Sequence, residues 1–200
     1  MDKNSLLKDI AETGYNVGFG GRKHFATYDI VDKTPGRISF VSMAFGTYAL
    51  VFDGLSTEFL SASFVVIGII GLYISFYDSR KSDYEKAGTA LTRLFNELRQ
   101  LYRTTKSAND DALPEYKQKL NDIETRYYET SISKQILFSD WYAHYKFFWQ
   151  VQIDWIDEQK NFKLLRDKIP LTFSLTVILA VAALIFWGSN FLNLVCRSKL

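Results

Sequence analysis

Residues 37–78 read "RISFVSMAFGTYALVFDGLSTEFLSASFVVIGIIGLYISFYD", and within them two runs, 38–52 and 59–77, carry no charged side chain. Crossing the hydrocarbon core of a bilayer takes about 20 apolar residues at ~1.5 Å of rise each. Both runs come close to that length and are separated only by Asp53-Gly54-Leu55-Ser56-Thr57-Glu58, with Asp-Gly as the turn signal. The expectation is a helical hairpin that crosses over about 37–53 and returns over about 58–77. A third uncharged run, 171–195, follows Pro170, a residue suited to the first position of a helix. It is long enough to span with tilt, with Asn190 and Asn193 near the far headgroups. Three such runs in 200 residues leave too little polar surface to cover them in a soluble fold.

The charges fall before, between and after these runs. Their balance, 24 Lys and Arg against 22 Asp and Glu, gives no electrostatic footprint for nucleic acid. Lys33 and Arg37 precede the first run and Arg80 and Lys81 follow the second, while the turn between has neither. The excess of basic residues on the cytoplasmic side therefore puts the N-terminus and residues 79–168 in the cytoplasm. Arg197 and Lys199, beyond the third run, go against the same rule. The opening "MDKNSLLKDIAETG" lacks the apolar core of a cleaved signal. The single Cys196 excludes an intramolecular disulfide, and it reads either as a lipidation site or as an unmodified thiol at the membrane edge.

Between lipid-facing helices, small residues allow close backbone approach. Ser39, Ser42, Gly46 and Ala49 form one stripe at spacings of 3, 4 and 3, and Ser61, Gly68, Gly71 and Ser75 form another. Either they pack the hairpin on itself, or they meet between protomers and line a water path.

From 79 to 168 the apolar pattern turns periodic. Tyr84, Ala87, Leu91, Leu94, Leu98 and Leu101 form one helical seam, and Leu113, Tyr116, Leu120, Ile123 and Tyr127 form a second. A third passes through Trp141, Tyr145, Phe148, Gln152, Trp155, Gln159 and Phe162. "TTKSANDDALPE" and "TSISK" are the breaks between them, so the region reads as an antiparallel bundle of long helices. The third helix is rich in aromatic and acidic residues and poor in cations, which disfavours base stacking. Core packing, headgroup contact and a nucleotide-like ligand pocket stay open for it. Because it continues through "NFKLLRDKIP" into the third uncharged run, Trp141, Tyr145, Phe148 and Trp155 are candidates for a gating lever.

The stretch "GYNVGFGGRKHFATYDI", residues 14–30, holds four glycines beside a basic cluster. It matches neither GxGxxG nor GxxxxGK[ST] and follows no apolar strand, so a phosphate loop is disfavoured. It reads instead as a flexible joint plus an interfacial helix with Arg22, Lys23, His24, Phe25 and Tyr28 at the membrane surface. His144 follows Asp140 by four residues, yet no further ligands converge on it for a metal. No catalytic, cofactor or metal constellation stands out, and the chain does not read as an enzyme. The organisation expected is therefore an all-α membrane protein: an interfacial segment over 1–35, a transmembrane hairpin over 36–78, a cytoplasmic bundle over 79–168 and a C-terminal transmembrane helix over 169–196.

The order of "GYNVGFGGRKHFATYDIVDKTPG", a two-span hairpin with a short acidic turn, and long helices opening "SRKSDYEKAGTALTRLFNELRQLYR" resembles the SLATT domain over about residues 5–165. These are two-transmembrane effector domains associated with bacterial nucleotide-sensing conflict systems, and the similarity is greatest to the subfamily that accompanies reverse transcriptases. The resemblance implies a gated, homo-oligomeric pore of the bacterial inner membrane. On activation by a partner or a nucleotide signal it would permeabilise the membrane and halt phage spread by killing or arresting the host. Its partners would be the bilayer, further copies of itself, and a reverse transcriptase or nucleotide-signalling protein, with no cofactor and no direct nucleic-acid binding. The family core has two spans, so the run from Leu171 is an addition that could line, plug or anchor. The alternative is a non-conducting anchor or scaffold for a nucleic-acid- or nucleotide-handling partner.

Overall fold

The computed structural model describes residues 2–52 and 58–197, and the side chains of these except 59, 165 and 187–197. The expected turn at 53–57 and the side chains of Asn190, Asn193 and Cys196 lie outside the described residues. Every regular element among the described residues is helical: α1 (Lys3–Ala49), α2 (Glu58–Ser75), α3 (Lys81–Ser107), α4 (Leu113–Thr130), α5 (Ser139–Gln150), α6 (Asp154–Lys160), α7 (Leu164–Asp167) and α8 (Leu171–Arg197). The chain divides into two compact units, Met1–Asn161 and Phe162–Leu200.

α1 is 47 residues long, about 70 Å at the α-helical rise, and runs through Pro35 without a break. Its first two thirds are the spine of the bundle, burying Leu6, Ile10, Val17, Ala26 and Val31. The glycines here form no flexible joint, because α1 passes through all four as helix. Glycine costs helix stability unless something gains from the missing side chain, and here aromatic rings do. A Cβ on Gly14 would lie 2.2 Å from the Trp155 ring, and one on Gly18 would lie 2.6 Å from Phe95 and 2.8 Å from Phe147. Phe25 returns the contact on Gly88 of α3, 3.1 Å from where a Cβ would stand.

α3 buries the whole expected seam from Tyr84 to Leu101, and α4 buries Leu113, Leu120 and Ile123. The register of α5 is different from the expected one. Its inward row is Ser139, Ala143 and Phe147, whereas Tyr145 faces solvent and Trp141 and Phe148 are half-buried. The helix also stops at Gln150, and α6 ends at Asn161 in the left-handed conformation, φ 51°. The continuous lever expected from Trp141 into the third uncharged run is therefore several separate helices. At about 100° per residue a straight helix would turn Ile153 and Trp155 some 200° apart. Leaving Ile153 outside the helix as the cap of α6 lets both be buried.

The second unit holds α7 and α8. Pro170 stands one position before α8 rather than at its first residue, and its carbonyl accepts from the Ser174 N–H at 3.1 Å. Residues Leu171–Phe186 form an apolar helix with Leu171, Ile178 and Leu184 exposed.

Candidate functional site: the apolar hairpin and its root

The last third of α1 and α2 lie side by side and antiparallel. At their root Lys81 reaches Asp32 at 3.0 Å, and Val31, Ile74, Tyr77, Tyr84 and Ile136 form one buried cluster with Tyr28 against it. Farther out the rings of Phe45 and Phe64 meet at 5.0 Å. Beyond these contacts the pair turns apolar side chains outward, from Phe40, Met43 and Val51 to Ile69 and Leu72, with Leu50 87% and Phe76 77% exposed. A contiguous exposed apolar surface of this kind marks a membrane or a partner. Among the described residues one helical run, Leu60–Ser107, contains a stretch long and apolar enough to cross a bilayer.

The small-residue stripes are only partly covered in the single chain. Ser42, Ala49 and Gly71 are half-buried, whereas Ser39, Gly46, Ser61, Gly68 and Ser75 are exposed. Nothing lies within 4 Å of a Cβ placed on Gly46, Gly68 or Gly71. Phe45 against Phe64 adds a ring contact, and the glycine faces are open in the single chain.

The root is held by residues far apart in sequence. His24 is 3% exposed, inside the bundle. The Ile132 N–H donates to its Nε2 at 2.9 Å, so the ring proton sits on Nδ1 and is donated to the Gly20 carbonyl at 2.7 Å. Burial pushes this imidazole below its ordinary value of 6.5, outweighing the Gly20 hydrogen bond, and the charge of Lys23 adds to the fall. The membrane-surface role expected of His24 is thus corrected: it ties α1 to the strand-like strap after α4. Its neighbours also make protein contacts. Arg22 lies over the Phe25 ring at 6.0 Å, Lys23 pairs with Asp140 at 2.7 Å, and Phe25 fills the notch at Gly88.

The strap, residues 131–138, is fastened to three helices. Thr27 Oγ1 donates to Gln135 at 2.5 Å, the Tyr84 hydroxyl to the Lys134 carbonyl at 2.6 Å, and the Leu137 N–H to the Tyr73 hydroxyl at 3.3 Å. Just beyond it Lys146 of α5 pairs with Asp29 of α1, and Lys33 shares the same carboxylate at 2.5 Å. Burial alone would raise the Asp29 carboxyl, but the hydrogen bonds from Lys146 and Lys33 outweigh it and hold it below the ordinary range. The Asp29–Lys33 pair is legible in sequence from its spacing of four; Lys146, 117 residues away, is not. Of the lever candidates, Trp155 is buried between Phe95 and Tyr102, at centroid distances of 5.6 and 5.3 Å. His144 packs edge-on to Phe19 at 4.9 Å, and no group of three metal-ligating side chains forms among the described residues.

A helical bundle thus continues along α1 into an apolar helical pair. Residues 1–177 match the family described as SMODS and SLOG-associating 2TM effector domain 6. The chain belongs to this family. SLATT domains are effector domains, and the match reaches from the start of α1 into α8, so bundle and hairpin together make up the domain. No curated protein and no solved structure matches this SLATT chain.

Proposed function

We propose that this SLATT chain is a homo-oligomeric effector of the bacterial inner membrane that opens a pore when activated during phage infection. The observation that carries the reading is the outer face of the hairpin, where large apolar side chains surround open space at Gly46, Gly68 and Gly71. Lipid covers the former, and the latter accept the close approach of a helix from another copy. The basic residues Lys33, Arg37, Arg80 and Lys81 cluster at the root, which favours a cytoplasmic bundle. The lever in this reading is α1 itself, because it passes unbroken from the bundle into the hairpin. A signal from a reverse transcriptase or nucleotide-generating partner would act on the bundle, and α8 would anchor or line the assembly.

A scaffold reading draws on a second observation, an open groove of about 550 Å³ between α3 and α4 that includes Glu97, Tyr116 and Arg126. Such a groove suits a protein partner without requiring conduction. Cysteine cross-linking separates the two. With Cys196→Ser as background, Gly68→Cys in native membranes should give disulfide-linked dimers, and a second cysteine at Gly46 should extend them into a ladder. Monomers only, from protein that floats with the membranes, would sink the oligomeric pore and favour the scaffold.

A further inference from the structure

A hollow of about 310 Å³ opens at the root of the hairpin, between α1 and the start of α5. Lys33 and Arg37 stand on one side of it and Phe138, Trp141 and Tyr142 on the other. Arg37 is the last charge before Ile38, where the uncharged part of α1 begins. If α1 enters the bilayer there, the hollow lies at headgroup depth.

Three features point to its occupant. Lys33 and Lys146 share the single carboxylate of Asp29, and Arg37 lines the same hollow, which leaves an excess of positive charge beside it. The walls are aromatic, with Phe138 and Trp141 at a centroid distance of 4.9 Å, and Trp and Tyr concentrate where membranes meet water. Phe138 holds φ 67°, a left-handed conformation that strains a bulky residue, and strain of this kind gathers at ligand clamps. That conformation leaves Phe138 54% and Leu137 61% exposed, so bundle packing does not account for it.

We propose that the hollow seats the headgroup of an anionic phospholipid, its phosphate between Arg37 and Lys33 and its glycerol and upper acyl chain against Trp141 and Phe138. The proposal rests on the membrane reading above. The test uses the full chain in phosphatidylcholine vesicles, with spin-labelled phosphatidylglycerol or phosphatidylcholine as the probe, and reads the relative association of the two labels. Flotation reports insertion separately. The parent should prefer phosphatidylglycerol, and Arg37→Gln should lower that preference about fivefold, the typical effect of one basic residue at an anionic surface. Trp141→Ala, which keeps the charge, should lower it as well. Arg37 is exposed on its helix, so the first variant keeps its fold. Equal association in parent and both variants, with insertion intact, overturns the proposal and leaves the membrane reading standing. Loss of the preference in inorganic phosphate, but not in chloride of equal ionic strength, would make this a free-phosphate site and equally overturn it. Failure of the parent to insert overturns both readings.

Discussion

His24 takes one hydrogen bond from the Ile132 N–H and gives one to the Gly20 carbonyl, an arrangement open only to the neutral ring. Its folded value is depressed below 6.5, so the unfolded chain binds the extra proton first as pH falls. Stability should be full above pH 6.5 and decline as the pH drops from there through the folded value. Denaturant midpoints taken on either side of that window check the sign. His24→Phe should reduce this slope, leaving the part that the buried His144 contributes with the same sign, and lower stability by roughly 1–3 kcal/mol at neutral pH, because the Ile132 N–H loses its acceptor. Gly18 supplies a second prediction, since its missing side chain is the space occupied by Phe95 and Phe147, both buried. Gly18→Ala should cost about 1–3 kcal/mol by overpacking, whereas Gly36→Ala, with nothing within 4 Å, should be neutral or slightly stabilising. Thermal unfolding of the two variants compares them directly. The sequence shows Gly14, Gly18 and Gly21 at spacings of 4 and 3, a helical stripe. The rings over Gly14 and Gly18 come from α3, α5 and α6, more than 70 residues on, and no local pattern announces them.

At the level of elements, periodicity was most legible where one face alone is buried. α3 has charges on its outer face and Leu on its inner, so its seam from Tyr84 to Leu101 reads directly. α5 has aromatic residues on every face, and an aromatic count cannot tell Phe147, which is buried, from Tyr145 and Trp149, which are not. The deciding signal is the small Ala143, which lets α5 approach α1 on the row through Ser139 and Phe147. The ion pair of Lys146 with Asp29, each side chain 13% exposed, then fixes that approach. Asp29→Asn would leave Lys146 partly buried without its counter-charge and should cost roughly 3 kcal/mol. Hydrogen exchange should show the loss concentrated in α5. Unchanged protection there would mean that apolar packing alone seats the helix.

For the whole molecule, the family and the all-helical bundle were legible from segment order, and the matched residues 1–177 bear the family out. The boundary drawn near residue 35 was not, because composition changes there while the helix does not: α1 belongs to both bundle and hairpin. In the proposed pore a movement of the bundle would reach the hairpin along this single helix, and the strap fastened to Thr27, Tyr73 and Tyr84 joins the same root. The central claim, that this SLATT chain permeabilises the membrane through contacts at the open glycine faces, is tested most directly by membrane potential. A voltage-sensitive dye would report it in bacteria expressing the full chain or its Gly46→Leu/Gly68→Leu variant, before and during phage infection. The account predicts that the parent depolarises the cell and the variant does not, although both are inserted. An inserted parent that leaves the potential intact in infected and uninfected cells alike would contradict it.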